Sequence, residues 1–335
     1  MKLSLVVPCY NEADNVALFQ QAVISAFDGC GYDYEIVFID DGSRDTTLHN
    51  LKKLYAAQQC PVKVVSFSRN FGKEAGIYAG LQHAAGEYIC LIDADLQQRP
   101  EIVRDMVKTL DEEPEFDVVA AFQDRRGEGK VLSFFKKCFY SIINKLSKVT
   151  LQPDASDFRT FRRSVRDSIL ELAEYHRFSK GIFAWVGYST KFIPYTACER
   201  ATGTTKWSFW KLFLYSLDGI IAFSTAPLAI ASVVGILFCV VAFIWMIAII
   251  VKTLMWGDPV TGVAAVIYLI VVVLQKLIQG IDVPGYATII VLILLLGSVQ
   301  LFCIGIIGEY VGRTFEQSKD RPIYIAKEVL DYEQN

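Results

Sequence analysis

Short apolar runs alternate with amphipathic stretches through the first 120 residues. Leu3–Val7 is an apolar run that Pro8 breaks. A helical pattern opens at Asn11-Glu12 and runs to about Phe27. Glu35–Ile39 predicts a second strand, followed by the turn Asp40-Asp41-Gly42-Ser43. Ser43, Asp45 and Thr46 are N-cap candidates for a helix running to about Gln58. Val62–Phe67 predicts a third strand, and about Lys73 to Ala84 a helix. Tyr88–Ile92 is a fourth apolar run, Pro100 starts another helix, and Asp117–Phe122 is a further strand. Continuous apolar runs of this length read as strands buried on both faces. Their alternation with helices predicts an α/β, doubly wound, mostly parallel sheet.

The pattern then changes. Residues 124–160 are irregular, with the basic segment Arg125-Arg126-Gly127-Glu128-Gly129-Lys130 and a helix from about Ser133 to Lys148. Residues 196–206 read as loop. Trp207 to Phe223 is apolar with sparse polar positions, which suits a helix in a membrane interface. Leu228–Val251 and Tyr286–Gly308 are uncharged stretches of 24 and 23 residues, roughly 35 Å each as helices and long enough to cross a bilayer. Val263–Leu274 is apolar too, but short for a crossing.

The expected organisation is therefore a globular domain over 1–206, an interfacial helix over 207–227 and a membrane domain over 228–312. A tail over 313–335 follows. Basic residues flank the membrane part on both sides: Arg200, Lys206 and Lys211 before it, and Arg313, Lys319, Arg321 and Lys327 after it. The bias predicts that both ends are cytoplasmic, with two crossings.

Composition sharpens this picture. Of 335 residues, 53% are hydrophobic, and the excess lies beyond residue 207. A net charge of −3 argues against a nucleic-acid binder. The eight cysteines include no C-x-x-C pair, so a zinc site is not expected. Cys9, Cys60 and Cys90 sit in or beside apolar runs and are expected as small core residues.

Four polar constellations fall at the predicted strand ends: Pro8-Cys9-Tyr10-Asn11-Glu12, Asp40-Asp41-Gly42-Ser43, Ser68-Arg69-Asn70-Phe71-Gly72-Lys73, and Asp93-Ala94-Asp95-Leu96-Gln97. In a parallel sheet these ends converge on one crevice. Tyr10 offers an aromatic face for a base, and Asp41 an acceptor for a base N–H or a ribose hydroxyl. Asp95 and Gln97 offer hard oxygen ligands for a divalent metal carrying a diphosphate. Taken singly, each motif is also an ordinary turn or helix cap.

In order and spacing these motifs resemble the family-2 glycosyltransferases of GT-A (Rossmann-like) fold. The likeness is strongest to the membrane-anchored polyisoprenyl-phosphate branch related to dolichol-phosphate mannose synthase. Asp157-Phe158-Arg159, with Ser156 in place of the usual Gly, fits that pattern. So do Arg177-Phe178-Ser179-Lys180-Gly181, Glu199–Lys206, Gly305–Arg313 and Arg321–Tyr324. The stretch around 262–281 stands out as an insert.

The resemblance implies transfer of a sugar from a nucleotide sugar, UDP-glucose being the leading example, to a polyprenyl phosphate such as undecaprenyl phosphate. The product would serve modification of cell-envelope glycans. It implies a single displacement with inversion, with Mg2+ or Mn2+ on Asp95 and Gln97. Pro8, Tyr10, Glu12, Ile39, Asp41, Asp93 and Ala94 would line the nucleotide, and Arg200 and Lys206 would contact the diphosphate. Asp157 would orient the acceptor phosphate or the sugar, or act as base, and Arg125, Arg126 and Arg159 would meet the lipid phosphate. The expected setting is a bacterial inner membrane, with the enzyme a homotetramer. The competing expectations are a non-catalytic sugar-nucleotide-binding scaffold and a polysaccharide synthase of the same fold. The second usually carries a Gln-x-x-Arg-Trp motif, and Arg-Trp does not occur here.

Overall fold

The computed structural model describes residues 2–123, 141, 144–145, 152, 155–196, 221, 224–256 and 286–332. Its first half follows the apolar pattern closely. Strands β1 (Leu3–Cys9), β2 (Tyr34–Asp40), β3 (Val62–Phe67) and β4 (Tyr88–Leu91) alternate with helices α1 (Val16–Phe27), α2 (Thr47–Ala57) and α3 (Lys73–His83). Helix α4 (Pro100–Glu112) and strand β5 (Val118–Gln123) follow. Pro100 stands at the start of α4, where its fixed φ and missing N–H cost nothing. Helix α1 begins later than Asn11, because Asn11 takes φ +55° and residues 11–15 form a loop.

Beyond β5 come β6 (Ala155–Arg162), α5 (Arg163–Leu170), α6 (Ser179–Val186) and β7 (Thr190–Tyr195). Two long helices, α7 (Ala226–Trp256) and α8 (Tyr286–Ser318), precede a last strand, β8 (Ala326–Leu330). The eight strands among the described residues join one sheet in the order β7-β5-β6-β4-β1-β2-β3-β8. The pairs among β1 to β4 are parallel, as is β5 with β7. Strand β6 runs antiparallel to both β4 and β5, and β8 runs antiparallel to β3. The sheet is thus mixed rather than wholly parallel.

Helices α1, α2 and α4 cover one face of the sheet, and α3, α5 and α6 the other. Leu3, Leu5, Val6, Val7, Ile36, Val37, Phe38 and Ile39 have no exposed surface, as expected where a parallel sheet is covered twice. Helix α3 lies so close to β1 that a Cβ on Gly80 would stand 2.1 Å from Val6 Cγ1.

The chain forms two compact units, one of residues 1–224 with 316–335 and the other of residues 225–315. In the first, the carboxyl-terminal segment is part of the sheet rather than a free tail. Tyr324 stacks on Phe67 at 4.8 Å and donates its hydroxyl to Gln82 at 2.7 Å. Lys63, buried in β3, lies 3.4 Å from Glu35 and 3.6 Å from Asp331. The second unit holds α7 and most of α8. Each has a stretch long and apolar enough to cross a membrane, with none of that stretch buried.

Candidate active site

The loops at the carboxyl ends of β1 to β4 meet the start of antiparallel β6. On the β2 side the loops are laced by neutral and charge-assisted hydrogen bonds. Asp40, 1% exposed, accepts from Ser66 Oγ at 2.9 Å and from the Ser43 N–H at 3.2 Å. Asp41 accepts from the Phe71 N–H at 2.6 Å, the Gly72 N–H at 3.0 Å and Asn70 Nδ2 at 2.9 Å. Burial pushes the Asp41 carboxyl up, and these backbone donors pull it back. Asp41 therefore clamps the 68–72 loop.

Gly42 makes that approach possible. It takes φ +63°, and a Cβ there would sit 2.4 Å from the Arg69 carbonyl carbon. The β1 loop is tied in the same way. Asn11 donates its N–H to Ser43 Oγ at 3.0 Å and accepts from the Arg44 N–H at 2.9 Å. The Glu12 N–H donates to Thr47 Oγ1 at 2.9 Å, and the Glu12 carboxylate accepts from Asn15 at 2.6 Å. Tyr10 is half-buried beside this loop, while Ile39 and Ala94 are buried.

The β4 loop is strained at Leu96, which takes φ +58°, a region costly for a branched side chain. Leu96 packs on the hydrophobic core, and Asp95 accepts from the Gln97 N–H at 3.2 Å across that residue. Asp93, Asp95 and Gln97 are all half-buried. Their hard oxygen donors suit Mg2+ or Mn2+, which takes one or two protein carboxylates and completes its shell with phosphate and water. No cluster of three His, Cys, Asp or Glu side chains with metal-binding geometry occurs among the described residues. Any such ion would rely on an incoming ligand.

On the β6 side the organisation is ionic. Lys73 Nζ lies 2.7 Å from Asp93 Oδ1 and 3.3 Å from Asp157 Oδ2. Burial alone would raise the Asp157 carboxyl. Lys73, Lys180 and Arg159 outweigh it and hold the group down at about 2. Arg159 is 6% exposed and donates to the Ser156 carbonyl at 2.9 Å and the Asp157 carbonyl at 3.4 Å. Its guanidinium also lies 4.2 Å from the Phe183 ring centroid. These commitments fit a floor beneath Asp157 better than the expected grip on a lipid phosphate. Gln98 accepts from the Asp93 N–H at 3.0 Å and donates to Ser156 Oγ at 3.4 Å.

Pro8, Lys73, Asp93, Gln98 and Asp157 line one cavity, so the structure gathers Pro8, Asp93 and Asp157 from the expected set. Lys73 and Gln98 carry no role in the sequence reading. The signal for Lys73 was its place directly after the Asn70-Phe71-Gly72 turn. Arg125, Arg126, Arg200 and Lys206 lie outside the described residues, as do most of the 133–148 helix, most of the 207–227 helix and the apolar run 263–274.

Residues 4–170 match the family model described as Glycosyl transferase family 2. The putative glycosyltransferase CsbB of Bacillus subtilis (strain 168) is 41% identical over 326 residues, covering 97% of this chain and 91% of that protein. The chain belongs to glycosyl transferase family 2. A second model, described as GtrB C-terminal hairpin, matches residues 259–314. That match runs through 262–281, so this stretch belongs to the hairpin pattern and is not an insert.

Other relatives of this glycosyltransferase match over nearly their whole length. The prophage bactoprenol glucosyl transferase homolog of Escherichia coli (strain K12) is 36% identical over 98% of this chain and 99% of that protein. The bactoprenol glucosyl transferase of Shigella phage SfV is 36% identical over 98% of each. Among solved structures, Mycobacterium tuberculosis glucosyl-3-phosphoglycerate synthase with phosphoglyceric acid overlaps 66% of this chain and 78% of its own. It does so at 20% identity and a TM-score of 0.44, too distant to carry an argument about the site.

Proposed function

We propose that this enzyme transfers glucose from UDP-glucose to a polyprenyl phosphate, undecaprenyl phosphate being the natural candidate, at the inner face of a bacterial membrane. The full-length likeness to two proteins named for bactoprenol glucosyl transfer carries the reading. The site supports it, because Asp93, two residues from the carboxylate suited to a metal-bound diphosphate, is joined through Lys73 to Asp157.

In the proposed step an oxygen of the lipid phosphate attacks the anomeric carbon. The bond from that carbon to the diphosphate breaks, and UDP leaves with the electron pair. A single displacement inverts the anomeric centre. The acceptor is already an anion near neutral pH, so no proton has to be removed. Asp157 fits that economy: a carboxylate held at about 2 is a weak base and a permanent negative charge. It would orient the sugar rather than take a proton, since a fixed anion repels the acceptor phosphate. Asp95 and Gln97 would hold Mg2+ or Mn2+, which would neutralise charge building on the leaving diphosphate. Pro8, Tyr10, Glu12 and Asp93 would line the nucleotide, with Asp41 keeping their loops in register. Arg200 and Lys206 would meet the diphosphate, and Arg125 and Arg126 the lipid phosphate.

A lipid acceptor calls for a membrane anchor, and α7 and α8 suit that role. The pairing of β8 with β3 supports an even number of crossings, since both termini contribute strands to one sheet. We assign two crossings, with the catalytic unit and the carboxyl terminus cytoplasmic, in a homotetramer.

Asp95→Ala in the full-length enzyme tests the catalytic reading against a non-catalytic scaffold. We expect glycolipid formation to disappear while the protein remains folded in detergent. Undiminished transfer would sink the assignment of Asp95.

A further inference from the structure

Two carboxylates from neighbouring strands face one another across the cavity, and the family motifs leave unexplained what holds them there. Asp93 follows β4, and Asp157 lies in antiparallel β6. Their side chains are only 35% and 26% exposed. Two partly buried like charges at this spacing repel unless something bridges them. Lys73 does so, at 2.7 and 3.3 Å. It is the first residue of α3, so its backbone is fixed by the packing of that helix on β1.

A second strap runs beneath the first. The Gln98 side chain, 5% exposed, accepts from the Asp93 N–H and donates to Ser156 Oγ. Ser156 Oγ in turn accepts from the Phe158 N–H at 3.2 Å. Ser156 stands where the family pattern usually has Gly, which has no hydroxyl to supply this link. Glu74, next to Lys73, accepts from the Ser179 N–H and hydroxyl. The first turn of α3 therefore grips the donor loop, β6 and the start of α6 together.

We propose that Lys73, with the Gln98–Ser156 strap as its second support, is a positioning residue of the transfer reaction. It sets Asp157 against Asp93, and so aligns the donor's anomeric carbon with the acceptor oxygen. Lys73 acts through Asp157 and forms no bond in the reaction.

The proposal rests on the lipid-phosphate reading above, and the test separates the two. Full-length enzyme in detergent is assayed with UDP-glucose and undecaprenyl phosphate, and UDP binding is measured apart by calorimetry. In Lys73→Gln we expect kcat to fall by about 100-fold, the size of effect that a small misplacement of reacting groups produces. The Kd for UDP should stay within about 3-fold, because the nucleotide loops keep their own bonds. Lys73→Arg should recover most of kcat, and Lys73→Gln/Asp157→Asn should be no slower than the worse single variant, since residues acting as a unit are not additive.

Multiplicative losses in the double variant, or an unchanged kcat in Lys73→Gln, would overturn the proposal. If Lys73→Gln does not fold, Ser156→Ala decides instead: a kcat loss of about 3-fold or more with unchanged UDP affinity supports it, and no loss overturns it. Absence of transfer by the unaltered enzyme would instead strike the lipid-phosphate reading.

Discussion

The two sides of the crevice are built by different physics. The β1–β3 side is held by hydrogen bonds between loops, with Asp40 and Asp41 spending their oxygens on Ser66, Ser43, Asn70, Phe71 and Gly72. The β6 side is held by charges, with Lys73 between Asp93 and Asp157 and Arg159 beneath. Hydrogen bonds to backbone fix a loop whether or not a ligand is present, whereas an ammonium between two carboxylates stays responsive to charge brought in from outside. We read the first side as a preformed nucleotide cradle and the second as the place where donor and acceptor charges are reconciled.

Breaking each side in turn tests that contrast. The largest effect is expected at Asp95, where alanine should lower glycolipid formation by about 1,000-fold or more through loss of diphosphate neutralisation. Next comes the edge of the sheet. Removing residues 320–335 strips β8 from β3, uncovers Phe67 and removes Asp331, which shares Lys63 with Glu35. We expect a loss of roughly 3 kcal/mol or more, read as a lower Tm of the full-length enzyme in detergent. Gly42→Ala attacks the cradle directly, because its Cβ would strike the Arg69 and Asn70 backbone at positive φ. A cost of about 2 kcal/mol, with weakened UDP binding, should appear in paired thermal and calorimetric titrations.

Acid should act on the ionic side. The Asp157 carboxyl sits at about 2 when folded, below the roughly 3.9 of an unfolded aspartate. A depressed value contributes stability above the unfolded pKa, and that stability is lost as pH falls from about 4 to about 2. The contribution is on the order of 2 kcal/mol at neutral pH. It should shrink in the acid unfolding curve of Lys73→Gln, with Lys180 and Arg159 keeping the remainder. The smallest change is expected for Tyr324→Phe, which deletes one exposed hydrogen bond to Gln82 but keeps the stack on Phe67. About 0.5–1 kcal/mol is the expected loss.

The same contrast explains what could be read along the chain. The β1 to β4 strands are buried on both faces, so their apolar runs announced them, and the strand-end motifs followed. Strand β6 reads Ala-Ser-Asp-Phe-Arg-Thr-Phe-Arg, and only its pairing with β4 and β5 explains a buried Arg159. Strand β8 is short, charged and largely exposed, and nothing local distinguishes it from a tail. Lys73 lay in a recognised motif, but its two carboxylate partners are 20 and 84 residues away along the chain. Such a role comes only from tertiary placement.

The most direct measurement is product identity. Full-length enzyme is incubated with undecaprenyl phosphate and, in parallel, a panel of UDP-sugars, and the lipid fraction is analysed by mass spectrometry. The account predicts a new glycolipid heavier than the acceptor by one hexose unit, formed best from UDP-glucose and accompanied by an equal amount of UDP. No lipid-linked sugar with any donor, or UDP released without a glycolipid, would contradict it.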